Sequence, residues 1–495
     1  MKIPRATYRL QFGREFTFAE AVAVLDYLQE LGVSEVYSSP LFRPGAESTH
    51  GYDICCFEEV SPMLGGNAGF EGFAAAARER GLGILLDMVP NHMGGALTNR
   101  WWVDVLRHGP NSKYAHYFDV DWNPPDSSLK NKVLLPLLED HYGRVLEAGK
   151  LKLGFVDGEF SIDYYDRRFP VAPESYKLLK SAENPLEMFK NAERLHELLE
   201  RQHYRLAWWR VAAQQINYRR FFDVTDLVAL RMERPDVFDA AHQFLFSLIA
   251  EGKVAALRID HPDGLWDPKQ YFERLQARNK DLYIVAEKIL TGHEPLPQDW
   301  PVAGTTGYDF LNRVNGLFVS AANEPAFSKI YEEFTGEDVD LVSLVYACKK
   351  RVLEMSFHSE LTSLAHRLRG LAAQTPNGHD LTLPMLRETL EAVVAAFPVY
   401  RTYIDERTRE VRAEERAYIE HALVEAHARN RSLDAVALEV VEVRVELRIR
   451  GPERHAQEQP DHRARKTVPH GRNAPLGEPS TFTVGAQRSR REVMV

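Results

Sequence analysis

Two acidic residues stand where this 495-residue chain could use them. Asp260 closes a mainly apolar run at 254–259, and Glu287 closes a second at 282–286. Between the runs, 268–279 carries Tyr271, Phe272 and Leu275 at helical spacing, so the simplest parse is strand, loop, helix, strand, a single βαβ unit. Both acids then sit at the carboxyl ends of neighbouring parallel strands, the edge where α/β folds place their chemistry. Parallel neighbours lie about 4.8 Å apart. Retaining glycosidic cleavage needs a nucleophile and an acid/base about 5–5.5 Å apart, so such a pair suits it. Arg258, two residues before Asp260 and on the same strand face, is expected to hold Asp260 ionised, while Glu287 would have to keep a proton to donate. Two structural ion pairs, Arg258 with Asp260 and Lys288 with Glu287, would account for the same residues without chemistry.

Other loops of the same kind add to that edge. The segment DMVPNH puts Asp87, Asn91 and His92 at the end of a strand, and STHGYD puts His50, Tyr52 and Asp53 after another. Asp87 could simply cap a turn, and Tyr52 could be a packed core residue. Several acids, histidines, an arginine and aromatics on one face nonetheless suit a neutral sugar, which offers hydroxyls to hydrogen-bond and ring faces to stack.

The elements that must position these residues alternate strand and helix from the start. Strands are expected at 6–12, 33–37, 83–89, 254–259, 282–286 and 304–310, with helices at 18–30 and 67–80 between the first three. Near-continuous apolar strands covered by helices indicate a parallel sheet. The leading fold class is therefore α/β, a (β/α)8 TIM-type barrel with a mixed insertion subdomain and a helical subdomain, incomplete because its last strands are missing. An open doubly wound sheet is second, weakened because no GxGxxG or P-loop follows any strand.

The expected domains are three βα units over 1–91, an aromatic-rich insertion at 92–253 with a helical stretch near 193–220, and strands carrying the acids at 254–319. A helical subdomain follows at 320–435, broken at Thr375–Pro376–Asn377–Gly378, then an aberrant, disordered tail at 436–495. Just before the tail's Arg-, His- and Pro-rich part, 438–449 alternates Val with Glu or Arg and could be an edge strand or a helix.

With 71 acidic against 61 basic residues the net charge is −10, which argues against nucleic-acid and anionic-membrane surfaces. Three cysteines, two of them adjacent, form neither a disulfide framework nor a zinc site. No cofactor or metal is expected, because His50 and His92 lack ligand spacing. The amino terminus has no apolar signal-like core and no window approaches twenty apolar residues, so a cytoplasmic location is expected.

DMVPNH, LRIDH and the Glu of VAEKIL resemble three of the four short motifs of the α-amylase superfamily of retaining glycoside enzymes. PRATYRLQF, VYSSPLFRP, STHGYD, WWRVAAQQINYRRFFDVTDLVALR and DHPDGLWDP further resemble one branch of that family, and the likeness spans about residues 3 to 435. Members of that branch move the reducing-end α-1,4 linkage of a maltooligosaccharide to an α,α-1,1 linkage by intramolecular transglycosylation.

The resemblance implies Asp260 as nucleophile, Glu287 as acid/base and Arg258 as the group orienting Asp260. It implies that Tyr52, Asp87, Asn91 and His92 shape the sugar subsites. His261 and Asp263 are candidates for gripping the freed glucose, a tight Pro–Asp–Gly turn being the alternative for Asp263. The fourth motif, which supplies the family's third acid, has no counterpart in this sequence. A truncated or frame-shifted product is therefore expected; an intact reading frame on resequencing the gene would overturn that. An α-1,4-glucan hydrolase or an inactive chain are the alternative functions.

Overall fold

The computed structural model describes residues 2–292, 294–404 and 411–450, the last eight as backbone. The chain forms two compact units. One comprises Met1–Tyr308 with Val352–Arg367; the other comprises Asp309–Arg351 with the described part of Leu368–Val495.

The first unit is built on a six-stranded parallel sheet: β1 (Thr7–Leu10), β2 (Glu35–Ser38), β3 (Gly83–Met88), β4 (Ala256–Ile259), β5 (Tyr283–Ala286) and β6 (Gly304–Thr305). Each strand pairs with the next in chain order, and β1 and β6 do not pair with each other among the described residues. This is the expected α/β architecture, a partial TIM-type barrel of six strands. The sixth strand is shorter than expected. Only Gly304–Thr305 pairs, and Tyr308–Gly316 is helical. Gly307 sits at φ +100°, in the left-handed region that favours glycine, and turns the chain out of the sheet.

Local sequence explains the covering helices. In α1 (Phe18–Glu30), Thr17 and Glu20 form a capping box, Phe18, Ala21, Leu25 and Leu28 are buried, and Gly32 at φ +86° ends the helix. In α2 (Gly66–Glu79) the buried face is Phe70, Phe73, Ala74 and Ala77. In α3 (Pro235–Ala250) and α4 (Pro268–Arg278), proline occupies the first turn, where its missing N–H costs nothing. Asp267 caps α4 through Gln270 N–H at 2.9 Å. Burial of Tyr271, Phe272 and Leu275 stabilises that helix against the sheet by about 1.5–3 kcal/mol each. Buried His242 of α3 bonds the Tyr271 hydroxyl at 2.8 Å, tying the helices that flank β4.

The segment between β3 and β4 is more β-rich than its sequence suggests. The helix expected near 193–220 ends at Leu199, and Tyr204–Trp208 pairs in parallel with Val133–Leu138. Tyr204, fully buried with its hydroxyl on the Pro170 carbonyl, favours the strand. A three-stranded antiparallel sheet (Leu151–Val156, Glu159–Tyr164, Arg167–Pro170) lies in the same segment. A second joins His92–Gly94 to Val224–Ala229 and Arg220–Phe221, so the insertion is stitched to the chain directly after β3.

The second unit is helical. Helices Leu383–Ala396, Ala413–Arg429 and Ala435–Arg450 share small residues at their contact, with Ala392, Ala396, Ala422 and Ala426 buried in one cluster and Ala437 and Val440 in another. The expected break at 375–378 precedes the helix Leu383–Ala396. Residues 436–450, assigned to the tail, are helical instead, because Ala437, Leu438 and Val440 find apolar partners. The rest of the tail, 451–495, lies outside the described residues.

Candidate active site

Strand register brings the acids together. Arg258 of β4 stands opposite Asp87 of β3, and Ile259 stands opposite Met88 on one side and Ala286 on the other. Asp260 and Glu287 therefore occupy matching positions one step past the last paired residues. Their backbone N–H groups donate to Met88 and Ile259 carbonyls at 2.9 Å each.

One guanidinium holds three carboxylates. Arg258 Nη1 donates to Asp87 Oδ1 and Asp260 Oδ1 at 2.6 Å each, and Nη2 lies 2.7 Å from Glu287 Oε1. Of the ion pairs considered from sequence, Arg258–Asp260 forms, but Lys288 does not hold Glu287. Lys288 Nζ lies 3.2 Å from Asp263 and 2.9 Å from Glu294. Asp87 Oδ2 accepts from Tyr52 at 2.7 Å and Tyr37 at 3.2 Å. Arg9 donates to the Tyr52 hydroxyl at 3.0 Å and lies over the Tyr37 ring. Burial, and then the Asp87 charge, push both phenols well above their ordinary range, so they remain hydrogen donors.

Asp260 differs from its sequence-based expectation. Burial pushes its carboxyl well above the usual carboxylate range, and Asp87 and Glu287 push the same way, against the pull of Arg258. The sequence displays Arg258 two residues away but not the three acids that share it.

A second group packs around the loop after β4. His261 lies in the left-handed region at φ +40°, and its N–H donates to Glu287 Oε2 at 3.0 Å. Its ring contacts Phe221 and Phe222, with centroids 5.0 and 5.1 Å away, and Phe221 also meets His92 at 4.7 Å. Phe222 is left-handed too, at φ +49°. Non-glycine residues held there cost about 1–3 kcal/mol each, which surrounding contacts must offset. Burial pushes the His92 imidazole down to about 3, keeping it neutral, and its Nε2 is buried with no hydrogen-bond partner among the described residues.

Asn91 Oδ1 accepts from Arg219 at 2.9 Å. Arg219 also donates to the Gly264 and Leu230 carbonyls and to Asp119, so one side chain of the insertion clamps the loops after β3 and β4. Gly264 is required there, since a Cβ would stand 2.5 Å from both Asn91 Oδ1 and the His261 ring. The Pro262–Gly264 segment is a tight turn, and its Asp263 is buried against Lys288. His50 is exposed, with Nδ1 accepting from Tyr52 N–H, and Asp53 accepts from Ser48.

Sequence reasoning missed Tyr37, Arg9, Arg219, Phe221 and Phe222. Tyr37 could have been found as a polar-tipped residue ending the second strand. The others reach the site across chain separations that no local period reveals. Among the described residues no group of three or more His, Cys, Asp or Glu could hold a metal ion, and no helix is long and apolar enough to cross a membrane.

The family model for the alpha amylase catalytic domain matches residues 21–145. Over 404 residues, 80% of this chain, it is 37% identical to a Mycobacterium tuberculosis protein that provisionally carries the name maltooligosyl trehalose synthase. The structure of maltooligosyltrehalose synthase from Arthrobacter ramosus matches with a TM-score of 0.76 and 36% identity, over 90% of this chain and 54% of that one. A Sulfolobus tokodaii structure described as a hypothetical maltooligosyl trehalose synthase gives a TM-score of 0.69 and 32% identity, over 91% and 55% of the two chains. The chain is thus a homologue of the maltooligosyl trehalose synthases, and it spans about half the length of the curated relatives it matches.

Proposed function

We propose that this chain carries intramolecular transglycosylation on maltooligosaccharides, converting the reducing-end α-1,4 linkage into an α,α-1,1 linkage. The observation that supports this best is the shared guanidinium. Asp260 and Glu287 end adjacent strands within reach of one Arg258, which sets two carboxyls side by side. A retaining reaction needs such a pair, one as nucleophile and one as acid/base.

In the first step an Asp260 oxygen attacks the anomeric carbon of the penultimate glucose. The bond from that carbon to the α-1,4 oxygen breaks, and Glu287 gives its proton to the departing oxygen. The freed glucose turns over in place. In the second step Glu287 takes the proton from the glucose anomeric hydroxyl, whose oxygen attacks the glycosyl-enzyme, releasing Asp260 and leaving an α,α-1,1 linkage. Each step inverts the donor's anomeric carbon, so the configuration is retained overall.

Developing positive charge on the sugar favours ionised Asp260 at the transition state, which offsets the upward push seen in the free site. Asp87, held by Tyr52, Tyr37 and Arg258, is proposed to shape the sugar subsite beside the acids. Neutral His92 has a free ring nitrogen for another. His261 with Phe221 and Phe222 forms an apolar wall suited to excluding water from the glycosyl-enzyme. The three cysteines are free, which fits the cytoplasmic location that we also propose.

Maltopentaose distinguishes the readings. Transglycosylation is expected to remove reducing ends without releasing glucose. Rising reducing ends would instead mean hydrolysis, and no change in folded protein would remove catalysis from this chain.

A further inference from the structure

The mechanism leaves one buried charge cluster unused. Lys288 is fully buried, directly after Glu287, and its ammonium lies 3.2 Å from Asp263 and 2.9 Å from Glu294, themselves 9% and 5% exposed as side chains. Burying three charged groups is costly, and an apolar cluster of similar volume would serve stability as well. The cluster's connections suggest another use. Asp263 belongs to the turn that follows His261, and Glu294 closes its own loop by accepting from Thr291 N–H at 3.2 Å. Lys288 therefore ties the loop after β5 to the turn after β4.

That turn carries a strained residue whose N–H meets the acid/base candidate. His261 is left-handed, its carbonyl accepts from Gly264 N–H at 3.1 Å, and its own N–H donates to Glu287 Oε2. Glu287 is thus fixed at one oxygen by Arg258 and at the other by the backbone that Lys288 anchors. We propose that Lys288 is a positioning residue, acting through Asp263 and His261 to aim the Glu287 carboxyl at the departing oxygen. This rests on the proposed role of Glu287. It also gives Asp263 a structural part in place of direct contact with the freed glucose.

Lys288→Met alone would leave two buried carboxyls facing each other, so the informative variant is Lys288→Met with Asp263→Asn and Glu294→Gln. It is assayed against wild type on two substrate systems, maltopentaose and α-maltotriosyl fluoride with azide as acceptor. Fluoride departs without a proton and azide attacks without a base, so the second system bypasses the acid/base in both steps. A mispositioned Glu287 is expected to cost about 10- to 100-fold in kcat on maltopentaose and less than about threefold on the fluoride with azide.

Lys288→Arg keeps the charge and is expected to show the same imbalance at smaller size, which preserves the test if the neutral variant does not fold. Equal losses on both systems, or no loss on either, would overturn the proposal. A wild-type chain active on both with no such imbalance in the variants refutes the positioning role alone. A folded wild type inactive on both refutes the function on which it rests.

Discussion

Asp260→Asn is expected to lower maltopentaose turnover by roughly 10⁴-fold or more, since an amide cannot form the glycosyl-enzyme bond proposed for the Asp260 carboxylate. The substitution keeps shape, and the asparagine oxygen can still accept from Arg258 Nη1, so loss of activity will not reflect loss of fold. It should in fact raise stability at neutral and alkaline pH. Burial pushes the Asp260 carboxyl up to about 8, against an unfolded value near 3.9. Between about 4 and about 8 the folded chain therefore binds more protons than the unfolded one, and its stability falls as pH rises through that window. Asparagine removes that dependence. The variant's gain in Tm over wild type should be larger at pH 8 than at pH 5, by about 2 °C or more, which corresponds to about 1 kcal/mol in a domain of this size. Turnover within tenfold of wild type, or a gain independent of pH, would contradict the assignment and the electrostatics respectively.

Arg258→Met is expected to have the largest effect on stability. Its side chain is 7% exposed and touches Asp87 at 0%, Asp260 at 8% and Glu287 at 21%. Removing the cation leaves three acids crowded in a poorly hydrated site, and breaking a buried pair in this way costs about 3–5 kcal/mol. The loss should shrink as the pH falls, because protons can then replace the missing cation in relieving the crowding. Thermal unfolding at pH 5 and pH 7.5 tests this. Arg258→Lys should recover only part of the loss, because an ammonium lacks the fork that reaches Asp260 from one nitrogen and Glu287 from the other. An unchanged Tm for Arg258→Met at pH 7.5 would show that the guanidinium is not what holds the acids together.

Much of the fold was legible because parallel strands buried on both faces read as apolar runs. The run before Asp87 and the run before Asp260 are of that kind, and register then placed the two residues on one edge. Helix α1 was readable over 18–30, the bounds that it takes in the structure. The insertion was not, because Tyr204–Trp208 becomes a strand only through pairing with a segment some seventy residues earlier. The same limit applied to the site. Arg258 and Asp260 are two residues apart and visible together, whereas the clamp from Arg219 to Asn91 and Gly264 spans the whole insertion. Lys288 was misjudged for a related reason. Its nearest acid in sequence is Glu287, but adjacent residues at a strand end diverge, and its ammonium reaches Asp263 and Glu294 instead. The charge state of Asp260 depends on three acids gathered from three strands, which no single motif displays.

The central claim is that Asp260 becomes the covalent carrier of the sugar, and trapping tests it most directly. Glu287→Gln is treated with α-maltotriosyl fluoride, which can glycosylate the enzyme without an acid but leaves no base to clear it. After proteolysis, mass spectrometry is expected to find one maltotriosyl unit on the peptide that contains Asp260, and none when Asp260→Asn is added. A sugar on another carboxylate such as Asp87, or no adduct while the wild-type chain consumes the fluoride, would contradict it.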